Sequence, residues 1–166
     1  MPDKKLSHYD KTGRAKMVDI SKKEVTSRMA VATGKIFMSQ GTLAKIQEKQ
    51  TTKGDPFETA RLAGIMAAKK TPELIPMCHP ILLSSISVDF IVQPSEGKKV
   101  ATIEVRAVVS ASGQTGVEME AMTAVAVAAL TLYDMCKAVD KGISFGEIGL
   151  AFKSGGKSGS YTRALT

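Results

Sequence analysis

The chain lacks tryptophan and is poor in aromatic, cysteine and histidine residues. Aromatic side chains make up 5% of its 166 residues, and there are two cysteines and two histidines. Two cysteines give no disulfide framework, so we expect a reducing, cytoplasmic setting. Cys78 and His79 are adjacent rather than two or more residues apart, so we expect no metal site. The few aromatic residues form no stacking motif, which argues against nucleic-acid binding.

Long hydrophobic runs are also missing. The longest apolar run, Ala121–Leu132, is too short to span a bilayer, and no apolar signal region follows Met1–Lys5. We therefore expect no membrane association. A chain of 166 residues is long enough to bury a core, so we predict a single domain over residues 1–166.

Positive charge is abundant by comparison. The net charge is +7, and the first 23 residues hold seven Lys/Arg against three Asp. We predict a flexible basic arm over residues 1–16 and a flexible Gly/Ser-rich tail over residues 154–166. A basic protein can bind nucleic acid, but a small polyphosphate would satisfy the same charge.

Hydrophobic periodicity and turn residues predict alternating strands and helices. Asp55, Pro56 and Glu58 mark the clearest helix start, because Asp is a good N-cap, Pro suits the first helical position and Asp-x-x-Glu matches a capping box. The turn PSEGKK joins two alternating segments into an antiparallel hairpin. The predicted elements are a strand (Met29–Met38), a short helix (Ser39–Gln50), a helix (Pro56–Lys70), two hairpin strands (Ser84–Gln93 and Lys99–Val109), a long helix (Val117–Val139) and a strand (Ile143–Phe152).

This order matches the split β-α-β-β-α-β pattern of a ferredoxin-like α+β fold, with an antiparallel sheet and an extra helix. Helices would cover one face of the sheet and leave the other open. An exposed apolar face needs a partner, so we expect an oligomer. The long helix is rich in alanine and therefore thin enough for close packing.

His79 is the one histidine inside an apolar segment, ELIPMCHPILLSS, with Pro76 and Pro80 close on either side. Two such prolines forbid a helix and favour extended backbone. The segment is either a site or a core crossing, and these residues alone favour a buried, hydrogen-bonded histidine. For Cys78 they favour a small buried hydrophobe.

The segment KSGGKSG, Lys153–Gly159, copies the end of a phosphate-binding loop. The full motif needs a glycine where this chain has Ala151, and it needs a helix afterwards, so the pattern excludes a nucleotide triphosphatase of that type. A basic loop that folds over an anion and a disordered terminus remain as alternatives.

Two polar groups could carry chemistry. Lys53 and Gly54 precede the Asp55 cap, where free helix amides and a mobile lysine attract phosphate; an ordinary surface loop is the alternative. Asp134 and Lys137 share one face of the long helix and can pair. Partial burial among other lysines would lower the pKa of Lys137 and suit it to acid–base chemistry, although a structural pair is the simpler interpretation.

Three segments in this order closely resemble the cyclic pyranopterin monophosphate synthase family, the C protein of molybdenum cofactor biosynthesis. They are KGDPFETARLAGIMAAKKTPELIPMCHPILL, GVEMEAMTAVAVAALTLYDMCKA and KSGGKSG, and the resemblance runs from about Met17 to Gly159. It implies a lyase that converts (8S)-3′,8-cyclo-7,8-dihydroguanosine 5′-triphosphate to cyclic pyranopterin monophosphate and releases pyrophosphate. It also implies a ferredoxin-like subunit of a hexamer, a trimer of dimers with interfacial sites, and no metal or organic cofactor.

The resemblance also implies the site residues. Asp134, Lys53 and Lys137 match the catalytic positions of the family. Some members carry two histidines before the lysine at position 53, whereas this chain has Thr51 and Thr52, so no role carries over there. The implied substrate-binding residues are Met77, Cys78, His79, Met119, Glu120, Glu118, Lys153 and Arg28.

The spacing of Glu120 and Asp134 predicts how such a site is assembled. On a continuous helix these residues lie ~21 Å apart along the axis, at ~1.5 Å per residue. They cannot reach one reacting centre from the same chain. If both touch one part of the substrate, they come from different subunits.

Two other function classes remain. A nucleotide- or RNA-binding module would need aromatic side chains on the sheet, and the strands offer Phe37, Phe90, Phe145 and Phe152 without the RNA-recognition signature. A structural oligomer without chemistry would make the Asp134 and Lys137 pair dispensable except for stability.

Overall fold

The architecture is an antiparallel sheet with helices on one face. The structure is a computed structural model that describes residues 8–10, 12–48, 54–93 and 99–164. Within this part of the chain the elements are β1 (Thr26–Ser39), α1 (Gln40–Gln47), α2 (Pro56–Lys69), α3 (Thr71–Leu74), β2 (Leu83–Val92), β3 (Val100–Gly113), α4 (Glu118–Cys136), β4 (Ser144–Ser154) and β5 (Tyr161–Thr162).

The strand order is β2-β3-β1-β4-β5, with every neighbouring pair antiparallel. β3 separates β1 from β2, and β1 separates β3 from β4. Each β-α-β unit is therefore split by a strand of the other, which confirms the predicted ferredoxin-like fold. α1 is the predicted extra helix, the four-residue α3 is a further one after α2, and β5 adds an edge strand.

The core lies between the sheet and the pair α2 and α4. Alternate residues of β3 from Ala101 to Ala111 are buried under these helices. A Cβ at Gly64 of α2 would lie 2.9 Å from the carbonyl oxygen of Ala124 and 3.2 Å from Cβ of Ala128. Small residues thus bring the two helix backbones into contact, as the alanine-rich sequence predicts.

The predicted start of α2 is confirmed. Oδ1 of Asp55 accepts hydrogen bonds from the amides of Phe57 (2.9 Å) and Glu58 (3.2 Å), and Pro56 occupies the first turn. The carboxylate of Glu58 pairs with Arg61. The helix is therefore capped by the side chain of Asp55, and Glu58 does not supply the reciprocal bond of a capping box.

The C-terminal segment differs most from its predicted arrangement. β4 continues to Ser154, and β5 pairs with Phe152 and Lys153. A two-residue strand has no hydrophobic period, so no pattern reveals it. Flexibility of the two termini stays a prediction.

α4 is long and apolar enough to cross a membrane by length and composition alone, with a mean hydropathy of 1.3. Half of that stretch is buried inside the protein, and a core helix meets the same criteria. Burial against the sheet accounts for its composition.

The face of the sheet opposite the helices is polar and charged in its centre. Lys35 forms a 2.6 Å ion pair with Glu147, and Nη2 of Arg163 donates to Oγ1 of Thr33 at 2.7 Å. Among the described residues, the exposed large apolar side chains of the helices are Leu62, Met66, Leu74 and Leu130, and those of the strands are Ile91, Val92, Val100, Phe145, Ile148 and Tyr161. Exposed apolar surface therefore occurs on both the helices and the strands, and the expected need to cover it applies to both.

Candidate active site

Two adjoining cavities open where the end of β3 meets the start of α4. One, of about 330 Å³, is the apolar cavity; the other, of about 340 Å³, is the cationic cavity. They share Lys23, Glu118 and the turn Thr115–Gly116. The apolar cavity is lined mainly by Val18, Ile20, Met77, Cys78, His79, Ile81, Met119 and Glu120. The cationic cavity is lined mainly by Arg28, Gln114, Lys153, Gly155, Lys157 and Ser158.

The segment with His79 forms one wall of the apolar cavity. After α3, the amide of Cys78 donates to the carbonyl of Ile75 at 3.0 Å, and the chain then runs without regular structure to β2. His79 and Cys78 are both only partly buried and face the cavity. The interpretations as a buried core histidine and a buried hydrophobic cysteine are therefore wrong.

Glu120 places a buried carboxyl group in this wall. It is 3% exposed, and burial raises its pKa, with a further contribution from the nearby charge of Glu118. Burial likewise raises the pKa of the Cys78 thiol, which lies close to Glu120. A carboxyl group that holds its proton more tightly than usual can donate a hydrogen bond to a ligand, or accept two once it ionises.

Glu118 connects the two cavities. Its side chain folds back over Gly116, where an added Cβ would overlap the carboxylate and displace it. Oε1 lies 2.8 Å from Nζ of Lys153, and Lys153 also donates to Oγ of Ser158 at 3.2 Å. The start of α4, strand β4 and the following loop are thereby joined at one carboxylate.

The loop KSGGKSG packs against Arg28 through two glycines. Gly155 and Gly156 have φ values of +95° and +73°, which side-chain-bearing residues rarely adopt. An added Cβ at Gly155 would overlap the carbonyl of Ser27, and one at Gly156 the guanidinium of Arg28. Nε of Arg28 donates to the carbonyl of Gly113 at 3.3 Å. Of the two alternatives for this loop, the structure has the basic loop folded onto the cavity.

Asp134 and Lys137 lie at the other end of α4. Nζ of Lys137 is 2.6 Å from Oδ1 of Asp134, and both side chains are about half exposed. The hydrogen bond and charge of Asp134 raise the pKa of Lys137. The expectation of partial burial and a lowered pKa is wrong for this chain, because the pair lies in solvent and the carboxylate stabilises the ammonium.

Lys53 lies outside the described residues. Gly54, which follows it, has a φ of +84° and leads into the Asp55 cap. α2 packs against α4 near Gly64, and the segment after α2 meets the start of α4. The two helices are thus antiparallel, which puts the start of α2 at the same end as Asp134.

The predicted site residues therefore fall into two groups. The eight substrate-binding residues line the two cavities at the start of α4, whereas Asp134 and Lys137 lie at its end. α4 is continuous between Glu120 and Asp134, so these residues are ~21 Å apart along the axis, as predicted. The two groups of predicted site residues thus lie at opposite ends of α4.

Sequence reasoning missed several cavity residues. The sequence gives Lys23 no role beyond its share of the N-terminal positive charge, and it gives Lys157 none beyond its place in the glycine-rich loop. Gln114 lies between Gly113 and Gly116, and this position between two glycines is the one sequence feature that could have indicated a role for it. Among the described residues, no three His, Cys, Asp or Glu side chains are grouped to hold a metal ion.

Known proteins match this chain over most of its length. A family model described as the MoaC family matches residues 17–156. A protein of Parvibaculum lavamentivorans is 55% identical over 97% of this chain and 98% of its own length. A protein of Desulforamulus reducens is 52% identical over 95% of this chain and 93% of its own length. A protein of Geobacter metallireducens is 55% identical over 95% of this chain and 96% of its own length. All three are named cyclic pyranopterin monophosphate synthase.

Proposed function

The chain belongs to the MoaC family, and we propose that it catalyses the reaction for which its relatives are named. It is a cyclic pyranopterin monophosphate synthase, a lyase of molybdenum cofactor biosynthesis. Its substrate is (8S)-3′,8-cyclo-7,8-dihydroguanosine 5′-triphosphate, and its products are cyclic pyranopterin monophosphate and pyrophosphate.

The observation that supports this function best is the pairing of an apolar cavity with a cationic one. Among the described residues, the cationic cavity has Lys23, Arg28, Lys153 and Lys157 around a single carboxylate, Glu118. A triphosphate needs such a cluster of cations. The apolar cavity, with its buried carboxyl group, suits the ring system at the other end of the substrate.

The same cations can assist the loss of pyrophosphate. A cyclic monophosphate forms when a substrate hydroxyl bonds to the α-phosphorus and the bond from this phosphorus to the β-phosphate oxygen breaks. The electron pair of that bond leaves with pyrophosphate, and the hydroxyl proton goes to a base. Ammonium and guanidinium groups stabilise the growing charge on the leaving group.

Asp134, Lys137 and Lys53 are proposed as the catalytic group for proton transfer. Because Asp134 raises the pKa of Lys137, this lysine is protonated at neutral pH and acts as an acid or as an anchor. The carboxylate of Asp134 is the matching acceptor. Opening the ring of the substrate needs such a donor and acceptor.

A complete site needs a second chain. Glu120 at the cavities and Asp134 lie ~21 Å apart along α4, too far for one reacting centre. We propose a cytoplasmic homo-oligomer, a hexamer built as a trimer of dimers, in which neighbouring chains contribute opposite ends of α4. The exposed Leu62, Met66 and Leu130 offer apolar surface for such contacts. The reaction uses no metal or organic cofactor.

The test is incubation of the purified protein with the cyclised triphosphate while pyrophosphate release is measured. We expect release from the native protein and none from Asp134→Asn or Lys53→Ala, both of which should remain folded oligomers. Near-native turnover in either variant removes that residue from the mechanism. Absence of release from the native protein rejects the function.

A further inference from the structure

We propose that Lys23 is a further substrate-binding residue that contacts the α-phosphate, and that Gln114 positions it. This proposal rests on the proposed function for the identity of the ligand. Neither residue belongs to the set that the family resemblance implies.

Lys23 lies at the junction of the cavities. It lines the apolar cavity and the cationic cavity, and it also lines a third depression of about 690 Å³ that includes Lys22, Arg28 and Lys157. In a substrate whose ring occupies the apolar cavity and whose polyphosphate occupies the cationic one, the α-phosphate lies between the two. An ammonium at the junction therefore meets the phosphate that reacts.

The backbone of Lys23 is held from several sides. Nε2 of Gln114 donates to the carbonyls of Lys23 (2.9 Å) and Ser21 (3.4 Å). The amide of Lys23 donates to the carbonyl of Ile20 at 2.9 Å, and the amide of Ser21 to Oδ1 of Asp19 at 2.9 Å. Gln114 follows β3 directly, so it ties this N-terminal loop to the rigid end of the central sheet.

The charge of Lys23 is available to a ligand. Within the described ranges, no carboxylate lies within 4.0 Å of its ammonium, whereas Lys153 is already paired with Glu118. An ammonium binds phosphate as a point charge and needs no fixed fork geometry. The side chain of Lys23 is exposed, so the loss of its conformational freedom on binding offsets part of the binding free energy. We therefore expect Lys23 to have a moderate effect on phosphate affinity.

Lys23→Gln and Lys22→Gln form a matched pair for the test. Both remove one positive charge from adjacent exposed lysines, but Lys22 lines neither of the two cavities. Inorganic tripolyphosphate, titrated by calorimetry into the full-length protein, reports anion binding without turnover. We expect Lys23→Gln to raise the dissociation constant about three- to tenfold and Lys22→Gln to change it less than twofold. The melting temperature should stay unchanged in both.

The role of Gln114 needs a double-mutant cycle. Gln114→Ala should weaken tripolyphosphate binding less than Lys23→Gln does. The double variant should bind no more weakly than Lys23→Gln alone, because the glutamine acts through the lysine. Additive losses would show that Gln114 acts independently and would overturn its positioning role.

The outcomes separate this proposal from the proposed function. Equal weakening by Lys23→Gln and Lys22→Gln means that only net charge matters, and the proposal fails. If the native protein releases pyrophosphate while Lys23→Gln binds and turns over normally, the reaction stands and the role of Lys23 is rejected. If the native protein releases none but Lys23→Gln selectively weakens tripolyphosphate binding, the anion site stands and the reaction is rejected.

Discussion

Oε1 of Glu118 lies 2.8 Å from Nζ of Lys153, which joins the first turn of α4 to β4 at the rim of the cationic cavity. Both side chains are only about a quarter exposed. The ligand-free site thus keeps one of its cations neutralised. A bound triphosphate would have to share Lys153 with this carboxylate.

Glu118→Gln should therefore strengthen tripolyphosphate binding about two- to fivefold, because a competing negative charge is removed from a partly buried pair. Lys153→Gln should weaken binding. Calorimetric titration measures both. Glu147→Gln, which disrupts the pair with Lys35 on the far side of the sheet, is the matched control and should have no effect. Weaker binding in Glu118→Gln would show that this carboxylate organises the site instead of competing for the lysine.

Subunit complementation tests the shared site. Glu120→Ala and Asp134→Ala should each be inactive alone. Mixed under conditions that exchange subunits, they should regain activity, because some hybrid sites receive both intact residues. Pyrophosphate release measures recovery, and mass spectrometry of the hybrids confirms exchange. If exchange is confirmed and activity stays absent, the shared-site proposal is wrong, and each chain binds the substrate with its own residues alone.

Gly156→Ala should raise the KM for the triphosphate substrate about tenfold, because a Cβ at this position displaces the guanidinium of Arg28 from its charge-assisted contact with phosphate. Gly159→Ala is the control, since its φ of +65° imposes a similar backbone strain while its Cβ would meet nothing within 4 Å. Steady-state kinetics and melting temperatures distinguish the two. Similar KM values in both variants would leave backbone strain as the only effect and remove Arg28 from substrate binding.

His79→Ala should weaken substrate binding about three- to tenfold and leave the melting temperature nearly unchanged, because the side chain is partly exposed in the cavity wall. Binding isotherms and thermal unfolding measure the two effects. A large drop in melting temperature with substrate affinity intact would restore the core-histidine interpretation.

Glu120 should make the ligand-free protein less stable as the pH rises. Burial raises the pKa of Glu120 above its ordinary value of 4.5. Below that value the group is protonated in both the folded and unfolded states and has no effect. As the pH rises toward the folded-state pKa, the unfolded state ionises first, so stability falls until that pKa is passed.

Glu120→Gln removes this penalty. It should raise the melting temperature at pH 8 and change it little at pH 4, as thermal unfolding across this range would reveal. Glu73→Gln, at an exposed position, is the control for loss of one carboxylate. A stabilisation by Glu120→Gln that is equal at both pH values would mean that ionisation of Glu120 is not its cause.

Local chemistry alone determined much of the fold. Asp55 followed by Pro56 marks the start of α2, because a carboxylate cap and a fixed φ act within one turn. The alternating residues of β2 and β3 predict their hairpin for the same reason: one sheet face is buried and the other is not. β5 and the four-residue α3 escape prediction, since elements so short are set by their neighbours and show no period of their own.

The family motifs of the sequence predict the site residues, and helix geometry determined that Glu120 and Asp134 lie far apart. Only the tertiary structure decided which residues meet. Lys153 reaches Glu118, and Gln114 holds the loop of Lys23, because strand pairing brings segments distant along the chain together at the start of α4. It also decided the direction in which two pKa values shift. Glu120 and Lys137 are ionisable residues on one helix, but one is buried and the other pairs with Asp134 in solvent, and burial depends on what packs against each end of the helix.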